Sequence, residues 1–386
     1  MEQIKRFLSD FGLPRIIIAV FLLALFMMAP AVGVNVPDAL KDVFNRFGMN
    51  GILVLALIPM IQAGCGLNFG LPLGIIAGLL GATISIEMGY VGAYGFFFAI
   101  LTALSFGSFF GLAYGALLNR VKGGEMMIAT YVGLSSVMLM QIGWLALPYK
   151  SAVMIYGFSG EGLRPTISVD GFWRNILDNF MSIKIYDIFD NMVVTISDFW
   201  AYIPGIKWYG KIPGNDIGKW LYEPKLIFAF PTGTILLFLF VALIVWAFFH
   251  MKTGTAMTAV GSNPIYARAA GINVNRMRTI SVMLSTMLGA MGIIVYQQSF
   301  GFIQLYDGPL YMAFPAIAAI LIGGARVNKA SLPNVFTGVI LYQGILVMTP
   351  LIFNAMLKLD MSDVIRIIVS QGMILYALTR KTKVLK

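Results

Sequence analysis

Residues 51–86, GILVLALIPMIQAGCGLNFGLPLGIIAGLLGATISI, contain no charged side chain. A helix needs about 20 predominantly apolar residues to cross a bilayer, so this stretch is long enough for more than one crossing. The whole chain of 386 residues is 59% hydrophobic and 11% charged, whereas soluble domains are about 25% charged. Its long runs are continuously apolar, and a membrane β-barrel would need alternating polarity. The sequence therefore predicts an all-α integral membrane protein.

Polar clusters, charges and Gly/Pro positions divide the chain into ten predicted spans. They lie near residues 16–34, 50–65, 68–86, 90–118, 126–148, 226–250, 279–298, 309–323, 332–352 and 363–379. The tails and loops on the side of the N-terminus hold 15 of the 27 Lys and Arg residues but only three of the 17 acids. Cytoplasmic loops are enriched in Lys and Arg, so both termini are predicted to be cytoplasmic. Orientation in the membrane thus explains the net charge of +10, and no nucleic-acid partner is expected.

The predicted cytoplasmic loop at 251–278 contains AVGSNPIYARAAGINVNRMR (259–278), which has three arginines and no acid. Pro264 at a first helical turn and Gly271 after a helix-forming run predict a short surface helix. Such a helix suits docking to a soluble partner, and it equally suits contact with anionic lipid. The residues alone leave both interpretations open.

The predicted outer loop at 149–225 forms an insertion within what is otherwise a single transmembrane domain, residues 1–386. Its aromatic residues and its charges of both signs predict short amphipathic helices on the outer face, with tryptophans at the headgroup level. The insertion is interpreted either as a platform for an external partner or as a segment that rests on the membrane. Its tryptophans are Trp173, Trp200, Trp208 and Trp220.

Two predicted spans carry Gly and Pro where a regular helix would not. Residues 63–74, AGCGLNFGLPLG, weaken a continuous helix in span three and place Asn68 at the break. Span eight follows Asp307-Gly308-Pro309 and is predicted to be interrupted at Pro315. If spans two to five and seven to ten are two repeated halves, the broken helices occupy matching positions, which indicates a transport site.

Close helix packing is the alternative explanation for such glycines, and it is the one that we favour for Gly107, Gly111 and Gly115. Few charges enter the spans, which argues against an ion-coupled secondary carrier with a relay of buried carboxylates. No His, Asp, Glu or Cys cluster has catalytic spacing, which argues against a membrane-embedded enzyme. The chain also has no G-x-x-x-x-G-K-[ST] loop for ATP. A separate motor subunit and no cofactor in this chain are therefore expected.

The loop sequence GSNPIYARAAGINV (261–274) resembles the cytoplasmic loop of ABC-transporter permeases of the ribose, simple-sugar and nucleoside import family, roughly G-x-N-x-x-A-A-R-x-x-G-I-N-V. AIAAILIGG (316–324) is similar to that family's A-I-A-A-V-x-L-G-G segment. NRVK (119–122) followed by IAT (128–130) is similar to its N-x-x-x-K/R-x-P-x-F-I-A-T stretch. The resemblance extends from about residue 50 to the C-terminus.

The resemblance implies a permease subunit in a prokaryotic plasma (inner) membrane, paired with an identical or homologous permease. Cytoplasmic ATPase subunits that bind ATP and Mg²⁺ would drive it, and an extracytoplasmic binding protein would supply substrate. The implied ATPase-coupling residues are Asn263, Pro264, Tyr266, Ala267, Arg268, Ala269 and Gly271. The implied substrate-pathway residues are Asn68, Phe69, Gly70, Pro72, Tyr311, Phe314 and Pro315.

The sequence departs from the sugar-transporting members at the span-three break. Those members have D-L-S-x-G, whereas residues 67–70 read LNFG, closer to the N-x-G of nucleoside members. The acid that often precedes A-I-A-A is also absent, since YMAFP (311–315) stands there. A site with Asn68 and aromatics but no carboxylate suits a nucleobase or a sugar ring, and the choice between them stays open.

Overall fold

The computed structural model describes residues 13–121, 123–155, 162–180, 183–188, 191–196, 225–358 and 361–379. Most of these residues are helical. The helices are α1 (Leu13–Met28), α2 (Val36–Leu55), α3 (Leu57–Gln62), α4 (Leu71–Glu87), α5 (Gly92–Arg120), α6 (Glu125–Ala146), α7 (Thr232–His250), α8 (Lys252–Ser262), α9 (Pro264–Ala269), α10 (Val274–Phe300), α11 (Gly308–Ile322), α12 (Leu332–Leu357) and α13 (Ser362–Thr379). The strands are β1 (Thr166–Ser168), β2 (Ile183–Ile188), β3 (Asn191–Ile196), β4 (Lys225–Phe230) and β5 (Phe302–Gln304).

Six helical segments of the described chain are long and apolar enough to cross a membrane: α2 together with α3, then α5, α6, α7, α10 and α12. The helices α1, α4 and α11 are apolar but shorter. The helical membrane fold predicted from the sequence is thus confirmed, whereas ten crossings and two cytoplasmic termini stay predictions. Residues 1–12 and 380–386 lie outside the described residues.

The helix α2 begins at Val36, well before the predicted boundary at residue 50. Lys41, Asp42 and Arg46 broke the apolar pattern and made this stretch look like a loop. On the first turns of the helix Asp42 is exposed, and Lys41 and Arg46 are partly buried. The hydropathy pattern therefore missed the first turns of α2, which are helical although they carry charged residues.

The longest uninterrupted helices, α5 and α10, pack closely along glycines. A Cβ on Gly111 would lie 2.6 Å from the Cα of Met283, and one on Gly115 would lie 2.9 Å from the Cα of Thr279. Gly107 faces α10 one turn further along. The close-packing interpretation of these three glycines is confirmed, and it places α10 deep in the helical bundle.

The described parts of the insertion at 149–225 form strands and turns. β2 pairs antiparallel with both β3 and β4, and β1 pairs antiparallel with β5. The prediction of short amphipathic helices is therefore wrong for these parts. Residues 183–188, IKIYDI, and 191–196, NMVVTI, are rich in β-branched residues, and such residues favour strands over short helices.

Trp173 packs inside the protein, with 1% of its surface exposed. Its ring centroid lies 6.2 Å from that of Phe96 on α5. The prediction of a tryptophan that lies at the headgroup level is therefore wrong at this position, because a helix of the bundle covers the side chain. Trp200, Trp208 and Trp220 lie outside the described residues.

A buried polar cluster fastens the insertion to the helices. Asp178 accepts hydrogen bonds from Ser299, at 3.0 Å, and from Thr234. Gln298 donates to Asp178 at 3.3 Å and to Thr234 at 3.1 Å, while its Oε1 accepts from the backbone N–H of Leu177 at 3.1 Å. We call the end of the bundle that carries the insertion the outer end, and the end that carries the 251–278 loop the inner end.

Candidate functional site

The loop at 251–278 folds into two helices, α8 and α9, that meet at Asn263. The Asn263 side chain caps α9 by accepting hydrogen bonds from the backbone N–H groups of Ile265, at 3.1 Å, and Tyr266, at 3.0 Å. Pro264 occupies the first helical position, where its missing N–H costs nothing. Gly271 follows the helix with φ +79°, a conformation that favours glycine. The short helix predicted from the sequence is confirmed.

The helix α9 has one buried face and one exposed face. Ala267 is buried against Val260 and Val274. Ile265 and Tyr266 are 83% and 72% exposed, and Arg268 and Ala269 are exposed beside them. The inner end thus presents a small apolar surface with a neighbouring positive charge, held by a capped helix.

Residues 63–70 are not helical and separate α3 from α4. We call them the helix break. They confirm the predicted interruption, although Pro72 lies in the first turn of α4 and begins that helix. The break lies against the loop helices: a Cβ on Gly64 would come 2.9 Å from the Cα of Gly261, and a Cβ on Gly261 would overlap the carbonyl oxygen of Gln62. α8 therefore touches the break backbone to backbone.

Arg278 joins three segments at the same place. Its Nη2 lies 2.5 Å from Oε1 of Glu125 at the start of α6, and its Nε donates to the Cys65 sulfur at 3.3 Å. The Cys65 side chain is buried at this contact. We call the set Gly64, Cys65, Glu125, Gly261 and Arg278 the inner junction. An open groove of about 450 Å³ lies beside it, lined by residues 64–66, 123–127 and 327–328.

Asn68 anchors the helix break to the bundle core. Its Nδ2 donates to Ser285 Oγ at 2.7 Å, and its Oδ1 accepts from the Tyr114 hydroxyl at 3.3 Å. Ser285 in turn donates to the carbonyl of Ala56 at 2.6 Å, where α2 and α3 are discontinuous. Asn68 is fully buried, so its amide is satisfied within the protein. We call Asn68, Tyr114, Ser285 and Ala56 the Asn68 cluster.

The structure brings several predicted pathway residues together. Phe69 of the break and Phe314 of α11 face each other with ring centroids 6.5 Å apart. Gly70 lies against the Tyr114 ring, and a Cβ there would approach within 2.6 Å. The two Gly/Pro-rich segments, which are remote in sequence, are therefore neighbours in space.

The helix α11 is continuous through Pro315, so the predicted interruption of span eight at this residue is wrong. A proline inside a membrane helix is tolerated where its surroundings satisfy the freed backbone groups. Tyr311, one turn earlier, is 64% exposed. The structure therefore separates Tyr311 from the buried Asn68 cluster.

Sequence reasoning missed the partners that complete these contacts. Nothing distinguished Tyr114 or Ser285 from other polar residues of apolar helices. Glu125 could have been identified from the sequence, because it is the one acid of the predicted cytoplasmic segments outside the N-terminal tail. A single carboxylate among many cationic side chains is expected to form an ion pair with one of them, and Glu125 pairs with Arg278.

Comparisons with known proteins identify the family of the chain. Residues 39–374 match the family described as branched-chain amino acid transport system / permease component. Over 120 residues the chain is 34% identical to the Autoinducer 2 import system permease protein LsrC of Enterobacter sp. (strain 638), covering 31% of this chain and 34% of that relative. Over 115 residues it is 34% identical to the Guanosine ABC transporter permease protein NupQ of Bacillus subtilis (strain 168), covering 29% and 35%.

A second LsrC, from Klebsiella pneumoniae, is 36% identical over 120 residues. The matched stretches span about a third of the length of these curated relatives. No solved structure is significantly similar to the chain. The family match, by contrast, covers most of the sequence and confirms the resemblance seen in the loop and span motifs. The chain therefore belongs to the branched-chain amino acid transport permease family, and its long apolar helices make it a multi-pass inner-membrane protein.

Proposed function

We propose that the chain is the permease subunit of an ATP-driven ABC importer that moves a simple sugar or a nucleoside by alternating access. The names of its relatives support this class, since they are permeases for autoinducer 2 import and for guanosine. In this proposal all ten helical segments, including α1, α4, α11 and α13, cross the membrane, and segments two to five and seven to ten form two related halves. The inner end with both termini faces the cytoplasm, in keeping with its excess of Lys and Arg.

The observation that carries the proposal is the inner junction. α9 presents Ile265 and Tyr266 to an ATPase groove, and α8 touches the helix break through Gly261. A displacement of the loop by the ATPase therefore acts on the break directly. The proposed coupling residues are Asn263, Pro264, Tyr266, Ala267, Arg268, Ala269 and Gly271.

The substrate path is proposed to run between the helix break and α11. The Asn68 cluster and the Phe69–Phe314 contact would close its inner end in the conformation described, and would part when the break moves. Tyr311, which is exposed, would face the second permease subunit. The proposed path residues are Asn68, Phe69, Gly70, Pro72, Phe314 and Pro315, with Tyr311 at the edge.

The remaining partners follow from the same mechanism. ATP and Mg²⁺ belong to the partner ATPase, because this chain has no phosphate-binding loop. The insertion at the outer end is proposed to receive the substrate-binding protein, and exposed apolar helix faces contact membrane lipid and the second permease, identical or homologous.

Cross-linking from α9 in native membranes tests the proposal. Tyr266→Cys is expected to cross-link to a protein with a P-loop, identified by mass spectrometry, and to be protected from an impermeant maleimide added outside intact cells. Met88→Cys is the matched control, because Met88 is 60% exposed after α4 at the outer end. It is expected to be labelled from outside and to capture no ATPase. A chain that purifies alone and still transports without ATP would overturn the proposal.

A further inference from the structure

The groove beside the inner junction is open and presents apolar side chains. We call it the inner groove. Its volume of about 450 Å³ lies within the range of roughly 300 to 1,000 Å³ that binding clefts occupy. Met126, Met127 and Val327 line it, and Met127 is 59% exposed. Methionine side chains are flexible and adapt to the shape of an apolar partner, so the inner groove suits inserted apolar side chains.

The charges around the inner groove disfavour an anionic small ligand. Glu125 is the one charged residue among the described residues that line it, and Arg278 pairs with this carboxylate at 2.5 Å. A phosphate group would lose its hydration there without a counter-charge. Arg326 and Lys329 are exposed on the turn that carries Val327, but they stand beside the lining. The arrangement matches an occupant with several apolar side chains and an acid at one end.

The first residues of the chain carry such a pattern. Residues 1–12, MEQIKRFLSDFG, lie outside the described residues, and we call them segment 1–12. Ile4, Phe7, Leu8 and Phe11 recur at the spacing i, i+3, i+4, i+7, which predicts an apolar stripe on one face of a helix. A helix this short is marginal in water by itself. The apolar stripe therefore needs a surface that covers it.

The helix α1 begins beside the inner groove, so segment 1–12 starts within reach of it. Nη2 of Arg15 donates to the carbonyl oxygen of Gly324 at 3.3 Å. Gly324 precedes Val327 of the groove wall by three residues, at most about 11 Å of chain. Segment 1–12 would be about 18 Å long as a helix, and Gly12 permits a change of chain direction before α1. The segment is therefore long enough to lie across the groove.

We propose that the inner groove is a docking site for the chain's own segment 1–12, which inserts its apolar stripe between the helix break, the start of α6 and the turn at 327–328. Asp10, the acid of the segment nearest to α1, would then meet the exposed Arg326 and Lys329. In this position the segment bridges three parts of the inner end and restrains their separation. The inference does not depend on which solute the chain transports.

Photocross-linking in native membranes identifies the neighbour of segment 1–12. Benzoylphenylalanine, a photoreactive amino acid, replaces Leu8 in the apolar stripe. The matched control carries it at Arg6, on the opposite face of the predicted helix. The Leu8 probe is expected to capture peptides of the same chain that contain residues 123–127 or 327–328, about tenfold more than the Arg6 probe, because the two faces point apart. The product should migrate as a single chain.

The other outcomes of this experiment would overturn the docking site. Capture of lipid by the Leu8 probe would mean that the apolar stripe rests on the membrane surface. Capture of an ATPase, or of a second copy at twice the mass, would assign the stripe to another interface. Equal capture by the Leu8 and Arg6 probes would mean that no specific face of the segment is bound.

Thiol labelling of the groove wall provides an independent test. Asn328→Cys places a thiol at an exposed position that lines the inner groove, and an impermeant maleimide is added to membranes opened to both sides. Adding Leu8→Glu is expected to raise the labelling rate about fivefold, because a charge in the apolar stripe disfavours its burial. Arg6→Gln is the control and should leave the rate unchanged. The chain with only its native Cys65, which is buried, gives the background. If Leu8→Glu does not change the rate, the segment does not cover the groove and the inference is wrong.

Discussion

Gly261 and Gly64 touch through their backbones, with a Cβ on Gly64 reaching 2.9 Å from the Cα of Gly261. One residue belongs to the inner loop helices and the other to the helix break. Gly64 also has φ +71°, which disfavours any side chain. No side chain at this contact can move aside, so we expect a displacement of α8 to displace the helix break as well.

Gly261→Ala is therefore expected to uncouple the loop from the break. The added methyl group would overlap the Gln62 carbonyl, and overpacking of this kind costs about 1 to 3 kcal/mol. ATP-driven uptake in vesicles should fall at least tenfold while the ATPase still binds. Gly372→Ala is the control, because Gly372 lies in α13 with open space around it, and it should transport normally. Normal uptake by Gly261→Ala would contradict the coupling role of this contact.

The Arg278–Glu125 pair is expected to couple α10 to α6. A double-mutant cycle with Arg278→Gln and Glu125→Gln, followed by thermal unfolding in detergent, should give a coupling energy of roughly 1 to 3 kcal/mol. The pair is mostly buried, and removing one partner leaves the other charge uncompensated.

Arg366 and Asp363 on α13 provide the reference cycle. They lie 3.7 Å apart and Asp363 is exposed, so their coupling should be below about 0.5 kcal/mol. Equal coupling energies in the two cycles would mean that the inner pair has no special structural role.

Substitutions at two neighbouring residues of α9 should affect different properties, ATPase binding in one case and stability in the other. Tyr266→Ala removes an exposed side chain, so it should weaken ATPase binding at least fivefold in a pull-down and leave the unfolding temperature unchanged. Ala267→Leu enlarges a buried side chain next to Val260, so it should lower the unfolding temperature by several degrees. If Tyr266→Ala binds the ATPase normally, α9 is a lipid-surface helix and the docking role is wrong.

Asn68→Ala is expected to destabilise the chain without altering substrate affinity. The change removes hydrogen bonds to Ser285 and Tyr114, and two such bonds contribute roughly 1 to 3 kcal/mol. Maximal uptake and the unfolding temperature should both fall while the Michaelis constant stays constant. Tyr114→Phe removes one of the two bonds and should show about half the loss of stability. A raised Michaelis constant for Asn68→Ala would instead place its amide in contact with substrate.

Much of the fold could be predicted because the lipid bilayer requires long apolar helices. Apolar run length located the helices, and the stepwise spacing of Gly107, Gly111 and Gly115 predicted a close helix contact. The two ends of α9 were equally predictable, since Pro264 and Gly271 act through their own backbones. Local chemistry of this kind needs no knowledge of distant residues.

The parts that could not be predicted depend on contacts remote in sequence. Pro315 is typical of a helix break, yet α11 is continuous through it. The composition of the insertion predicted amphipathic helices. Its described strands instead pair with segments that are remote in sequence, β1 with β5 and β2 with β4. Gln297 is one of several glutamines in apolar helices, and only the positions of β5 and α11 show that it lines a small space between them.

Helix α10 runs from Val274 to Phe300 and contains no proline, a length of about 40 Å at 1.5 Å per residue. Its first turns hold Arg278, which contacts the helix break, and its last turns hold Gln298, which contacts the insertion. One continuous helix therefore connects the inner junction to the insertion at the outer end. A displacement of the loop that reaches Arg278 is expected to be transmitted to the insertion through α10 itself, without a relay of side chains.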